Sequence, residues 1–218
     1  MPPRFGGMRQ CKKVVVYGIY YAAPLLVAGL LLSWFLSPFY VLPFLIVALF
    51  CIYFFRDPDR DTPPGPVAVA PADGKVVAIV EDDAGANRIS IFLNIFDVHV
   101  NRTPIAGKVT CVTYKKGKFL VASQEDASQA NEQNVITVEA GDGVRVVFKQ
   151  IAGLIARRIV CYKKAGDILD AGERIGLIKF GSRVDVFLGP EWEIAVQRGD
   201  RVAAGASVIA RRREARIA

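Results

Sequence analysis

The sequence is poor in the residues that most often carry chemistry. Its 218 residues include one histidine, two methionines, two tryptophans and four cysteines. A single histidine excludes any site that needs two, which removes most zinc hydrolases, and no metal ligand set is expected. Cys11, Cys51, Cys111 and Cys161 are widely spaced, and there is no C-x-x-C. They read as unpaired thiols of a reducing compartment, not as a disulfide framework or a metal knuckle. No run of basic residues is interleaved with aromatics, so nucleic acid is not an expected partner. Apolar residues make up 52% of the chain without a repeating period, which excludes disorder and collagen-like structure.

Charge is missing from one long stretch. From Val14 to Phe55 there are 42 residues without an Asp, Glu, Lys or Arg. Arg4, Arg9, Lys12 and Lys13 precede it with no acid among them, and Arg56 and Arg60 follow it. The run is too long for the apolar core of a signal peptide. At about 20 residues per crossing it holds two spans. Ser37-Pro38 lies near its middle, where proline interrupts helical hydrogen bonding. Trp34, Phe35, Phe39 and Tyr40 around that break suit an interfacial turn. The sequence therefore predicts a basic tail over 1–13, a membrane helical hairpin over 14–55 with helices at 17–36 and 39–55, and a catalytic or binding body over 56–218. The second helix is marginal for a full crossing, so a hairpin that only embeds stays open. Positive flanks on both sides predict both ends on the cytoplasmic face of the cell membrane. The net charge of +7 and the basic front favour an anionic leaflet.

After Phe55 the texture changes. Residues 56–66 form a charged, proline-rich linker. Beyond it, short β-branched runs alternate with glycine turns at 75–80, 88–93, 108–114, 134–138 and 144–148. Strands at this spacing predict a mainly β body, an antiparallel barrel or sandwich. Ala152 to Ile159 reads as a short helix or a further strand. Two phrases recur. P-x-x-G-K-V occurs at 71–76 and 104–109, and G-D-x-x-x-x-G at 166–172 and 199–205. They are similar to elements of the barrel-sandwich hybrid of lipoyl and biotinyl domains, but no lysine is flanked as an acceptor should be. Ordinary turn chemistry accounts for them.

Three places could carry chemistry. His99, the only imidazole, lies in Asn94-Ile-Phe-Asp-Val-His-Val-Asn-Arg102. If that stretch is a strand, Asp97, His99 and Asn101 share one polar face. Asp73 stands before Gly74, a pair that is by itself a turn signal. In Phe180-Gly181-Ser182-Arg183-Val184-Asp185, Ser182 reads as a plain turn, a nucleophile or a self-cleavage junction. The hydrolase elbow G-x-S-x-G is absent, because Val184 stands where the second glycine belongs. A glycine before the serine leaves its carbonyl carbon uncrowded, and the serine oxygen can attack it when a base takes the proton.

The stretch Gly172-Glu-Arg-Ile-Gly-Leu-Ile-Lys-Phe-Gly-Ser-Arg-Val-Asp185 resembles the processing region of the short-form phosphatidylserine decarboxylases. Phe54-Phe-Arg-Asp-Pro58, Pro71-Ala-Asp-Gly74, Asp97-Val-His-Val-Asn-Arg-Thr-Pro104 and Gln150-Ile-Ala-Gly-Leu-Ile-Ala-Arg-Arg158 agree in order, so the resemblance covers nearly the whole chain. It implies a proenzyme that cuts itself between Gly181 and Ser182 into a β chain, 1–181, and an α chain, 182–218. Ser182 would become a covalent pyruvoyl group, the cofactor. Asp73 would orient His99, and His99 would take the Ser182 proton. The pyruvoyl carbonyl would form a Schiff base with the serine amine of phosphatidylserine, carbon dioxide would leave, and phosphatidylethanolamine would be released, with His99 the candidate proton donor. The implied partners are the lipid substrate, the bilayer and the two chains of one proenzyme, with a homodimer left open. Arg102, Arg157, Arg158 and Arg183 are candidates for the lipid phosphate. One departure stands out: Gln133 occupies a position where the family pattern leads one to expect Arg.

Two other readings stay open on the sequence. One is a decarboxylase of a related serine-head-group lipid of the archaetidylserine kind. The other is a non-catalytic, membrane-anchored barrel-sandwich adaptor. The adaptor explains the repeats and the hairpin but gives no reason for Asp73, His99 and Gly181-Ser182 together.

Overall fold

The structure, a computed structural model, describes residues 7–122, 124, 126–154, 158–179 and 182–213, with side chains from residue 16 onward. The chain divides into two compact units after Pro58.

The first unit is a helix pair, α1 (Gly7–Phe35) and α2 (Val41–Phe54), joined through a 3-10 turn at Pro38–Tyr40. The break falls where Ser37-Pro38 interrupts the ladder, but α1 begins at Gly7, inside the segment expected to be a tail. Small residues let the helices approach: Gly18, Ala22 and Gly29 face α2, and a Cβ at Gly29 would lie 2.8 Å from that of Phe44. Tyr21 stacks on Phe55 with centroids 5.6 Å apart. Val16–Phe35 is a 20-residue apolar stretch long enough to cross a membrane. The 14 residues of α2 rise only about 21 Å, short of the roughly 30 Å of a hydrocarbon core. Ile19, Leu30, Trp34, Phe39 and Ile46 are exposed, so the pair has an apolar exterior suited to lipid.

The second unit is mainly β. Its strands are β1 (Val67–Val69), β2 (Gly74–Glu81), β3 (Asn87–Leu93), β4 (Val100–Arg102) and β5 (Gly107–Lys115). A short helix α3 (Ala127–Ala130) precedes β6 (Gln133–Glu139), β7 (Arg145–Ile151), β8 (Ile159–Cys161), β9 (Ile168–Leu169) and β10 (Arg174–Ile178). Then follow β11 (Ser182–Leu188), β12 (Trp192–Ile194), β13 (Arg201–Val202) and β14 (Val208–Arg212). An eight-stranded sheet runs β13-β2-β3-β11-β7-β6-β5-β9, and two three-stranded sheets run β1-β14-β12 and β4-β10-β8. Every pairing between these strands is antiparallel, as the spacing of the β-branched runs predicts.

The recurring phrases are the two halves of a pseudosymmetric scaffold. Val76 N–H donates to Asp200 O and Gly199 N–H to Val76 O; Val109 N–H donates to Asp167 O and Gly166 N–H to Val109 O, all within 2.8–2.9 Å. Gly74 and Gly107 open β2 and β5 at φ +150° and +157°, and a Cβ at either would be driven into a carbonyl of the adjacent strand. Only glycine fits both places. Asp73 in the first phrase has Ala106 at the matching position of the second, so the scaffold is duplicated while the carboxylate is not.

The central strand β11 is buried on both faces. Val184, Val186 and Leu188 join Ile89, Ile91, Val138 and Phe148 in the core, each side chain contributing about 1.5–3 kcal/mol. Arg183 and Asp185 point to the opposite face, which the segment around α3 covers. Among the described side chains, Cys51, Cys111 and Cys161 are free thiols.

Candidate active site

Three connections join the large sheet to the smaller ones. Residues 70–73 lead from β1 to β2 and 94–99 from β3 to β4, and the third runs from the end of β10 at Ile178 to the start of β11 at Ser182. Arg102 N–H donates to Pro71 O at 2.9 Å, which ties the first connection to the second. Ile178 N–H donates to His99 O at 3.3 Å, and Ser182 pairs opposite Leu93, which tie the second to the third. Backbone contacts thus bring together along one seam the strand ends that flank Asp73, His99 and Ser182, residues spread over 109 positions of sequence, while among the described residues no hydrogen bond joins the Ser182 hydroxyl to His99. Gly181 and Arg157 lie outside the described residues.

Ser182 opens β11 and is fully buried, and its hydroxyl has no hydrogen-bond partner among the described residues. His99 is also buried, with Nδ1 2.9 Å from the Asp97 carbonyl oxygen. A carbonyl only accepts, so Nδ1 carries the proton and Nε2 keeps the basic lone pair. Asp73 accepts from the Ala204 N–H at 2.7 Å through Oδ1 and from Arg60 Nη2 at 2.8 Å through Oδ2.

The polar strand face expected for Asp97, His99 and Asn101 is not what forms. Residues 94–97 make a turn: Asp97 Oδ2 accepts from the Asn94 N–H at 2.9 Å, and Asn94 Oδ1 accepts from the Phe96 N–H at 2.8 Å. Arg201 caps the other Asp97 oxygen. Asp97 is therefore a turn-forming group, β4 starts only at Val100, and His99 is enclosed.

Two of the arginines proposed for the lipid phosphate are internal. Arg102 is buried and donates Nη1 to Gly172 O at 3.1 Å. Arg183 donates Nε to Asp185 at 2.6 Å, Nη2 to Ser90 Oγ at 2.7 Å and Nη1 to Gln124 O at 3.1 Å. Both guanidiniums are buried and held by groups of their own chain. Arg158 is exposed, and its carbonyl accepts from the Lys179 N–H at 3.2 Å, beside the third connection.

Among the buried polar residues, Asn134, Gln150 and Lys179 were not singled out from the sequence, whereas Asn101 and Gln133 were. Asn134 Nδ2 donates to Gln150 Oε1 at 3.1 Å, and Gln150 Nε2 donates to Asn101 Oδ1 at 2.9 Å, all three buried. Lys179 is buried as well. A signal for Gln150 did exist: it falls on the inward register of Val146 and Phe148, where an apolar residue is the rule. Gln133 is buried, its Nε2 reaching two backbone carbonyls at 3.4 Å and its Oε1 unpartnered among the described residues. Burial raises the Cys161 thiol above its ordinary range, opposed by the Lys163 backbone and the Asn134 amide.

A family model described as phosphatidylserine decarboxylase matches residues 47–210. The chain belongs to the phosphatidylserine decarboxylase family. It is 64% identical over 200 residues to the phosphatidylserine decarboxylase proenzyme of Solibacter usitatus, covering 92% of this chain and 97% of that one. The proenzyme of Syntrophus aciditrophicus is 49% identical over 174 residues, covering 77% and 81%. That of Erythrobacter litoralis is 45% identical over 224 residues, covering 92% and 87%. The chain is accordingly an enzyme of a decarboxylase family, and a non-catalytic adaptor is not favoured.

Proposed function

We propose that this chain is a self-cleaving proenzyme that decarboxylates phosphatidylserine to phosphatidylethanolamine through a carbonyl made from Ser182. The observation that carries the reading is Ser182 itself, a buried serine with an unpartnered hydroxyl at the head of a strand clamped on both sides. A buried polar group without a partner costs about 1–3 kcal/mol, and a chain keeps such a cost where the group reacts.

In the first reaction His99 Nε2 takes the Ser182 hydroxyl proton, with the Asp97 carbonyl holding the ring in that tautomer. The oxygen attacks the Gly181 carbonyl carbon, the bond from that carbon to the Ser182 nitrogen breaks, and the nitrogen leaves with a proton. An ester joins the two pieces until β-elimination releases the Gly181 carboxylate and leaves dehydroalanine at residue 182; water then adds to the imine tautomer of that residue and ammonia departs, leaving a ketone. Asp73, held by Arg60 and the Ala204 amide, supplies negative charge that favours the imidazolium formed on His99. A pyruvoyl group at residue 182 fits this position, since the chain supplies it from its own backbone; it offers a carbonyl for the head-group amine and an acceptor for the electron pair left by carbon dioxide. His99 is then placed to return a proton to the substrate carbon. Arg158 is the exposed candidate for the lipid phosphate.

The apolar helix pair suits a membrane anchor, and its positive flanks favour the cytoplasmic face. Ile95 and Phe96, exposed on the turn that precedes His99, offer further apolar surface near the seam. The test is a denaturing gel with a lipid assay. Wild-type protein should run as two polypeptides, the shorter being residues 182–218, and should release carbon dioxide from phosphatidylserine micelles. Ser182→Ala should stay whole and inactive. A Ser182→Ala protein that is still cut refutes the assignment.

A further inference from the structure

We propose that the side-chain amide of Asn101 holds the carboxylate of the serine head group beside residue 182; this rests on the function proposed above. Three buried amides form a relay that runs from Asn134 to Asn101. Asn134 gives an N–H to Gln150, Gln150 gives an N–H to Asn101, and the Asn101 oxygen is thereby occupied. What is left over is the Asn101 Nδ2 donor, which is fully buried and has no partner among the described residues. Buried donors in native chains are almost always satisfied, so one kept open at a reactive seam points to a ligand that completes it.

The register says where that ligand sits. Gln150 stands directly opposite Val184, and Ser182 is two residues along the same face of the adjacent strand. Such diagonal neighbours are about 7–8 Å apart. Asn101 meets Gln150 from β4, two residues after His99. The relay therefore ends in an unpartnered donor on a strand that starts one residue after His99, joined through Gln150 to the face of β7 that lies diagonal to Ser182. Ser182 Oγ is likewise unpartnered among the described residues, as is Gln133 Oε1 on the strand beyond β7.

The chemistry of the donor selects the group it takes. A serine head group presents an ammonium, which donates, and a carboxylate and a phosphate, which accept. The ammonium must meet the reactive carbonyl, and the carboxylate is joined to the same carbon, so it is the acceptor nearest residue 182. A cation there would stabilise the bound carboxylate over the uncharged carbon dioxide it becomes, and so oppose the step. A neutral N–H orients the carboxylate with less of that penalty.

Two variants remove the donor by different routes. Asn101→Asp keeps an oxygen for Gln150 and removes the N–H. Gln150→Glu replaces a donor with an acceptor, so that Asn101 turns its N–H away from the seam. Both should still cut themselves, which a denaturing gel reads without reference to turnover. In mixed micelles the KM for phosphatidylserine should rise about 10- to 100-fold, the loss of a hydrogen bond to a charged group. Inhibition by phosphatidylethanolamine, which lacks the carboxylate, should be unchanged. An unchanged KM in a variant that cuts normally overturns the proposal. So does an equal weakening of phosphatidylethanolamine, or loss of self-cleavage in both variants. If one variant fails to fold, the other decides. A wild-type chain that neither cuts nor decarboxylates sinks the underlying function and this assignment with it.

Discussion

Replacing Asp185 with Ala removes the centre of the polar network behind β11. Its carboxylate takes Arg183 Nε at 2.6 Å on one oxygen and Ser128 Oγ at 2.5 Å on the other, and the two side chains of the ion pair are 0% and 1% exposed. Without it the guanidinium stays enclosed, still donating to Ser90 and a backbone carbonyl but without the carboxylate that balances its charge. Breaking a buried pair from one side costs about 3–5 kcal/mol, a large share of the roughly 5–15 kcal/mol that holds a domain together. For a unit of this size that is a fall in melting temperature of about 6–20 °C. The assay is thermal unfolding followed by circular dichroism, in a Ser182→Ala background so that one intact chain melts. The double variant Arg183→Met, Asp185→Leu should recover most of the loss, because it removes both charges at once. A single variant that loses less than about 1 kcal/mol, or a double variant no better than the single, would refute the reasoning.

Three further outcomes follow from the same geometry. His99→Gln should slow self-cleavage about 10²- to 10⁴-fold, read as the rate at which the short chain appears on a gel. After cleavage, the piece beginning at Ser182 should co-purify with the longer one without denaturant, since β11 is paired to both β3 and β7; spontaneous separation on gel filtration would contradict the sheet order. Iodoacetamide at neutral pH should label exposed Cys111 well before Cys161, whose thiol is pushed upward by burial, and Cys161 labelling should increase as pH rises past the ordinary thiol range. Mass spectrometry of the labelled peptides checks the order.

Local signals carried far along this chain. The uncharged run, its proline break, five of the six longest body strands (all but β11) and the glycine phrases are readable from neighbours in sequence, because hydrophobic period and turn chemistry act over a few residues. His99 was legible as the only imidazole, but its surroundings were not. Alternation predicts a strand face, whereas the Asp97 carboxylate captures the Asn94 amide and bends 94–97 into a turn. Arg183 reads as a surface cation next to the reactive serine. It is internal because Ser128 and Gln124, more than fifty residues earlier, bring a covering segment onto that face.

By itself the sequence determined the inventory: one histidine, one Gly-Ser junction, a charge-free anchor and a duplicated β phrase. It determined these because composition and short-range pattern need no partner. The tertiary structure alone decided which of these meet. Antiparallel pairing sets three distant connections on one seam, and the closing of the sheets removes water from them. That burial leaves the Ser182 hydroxyl and the Asn101 amide as unpartnered groups at the place where chemistry is expected.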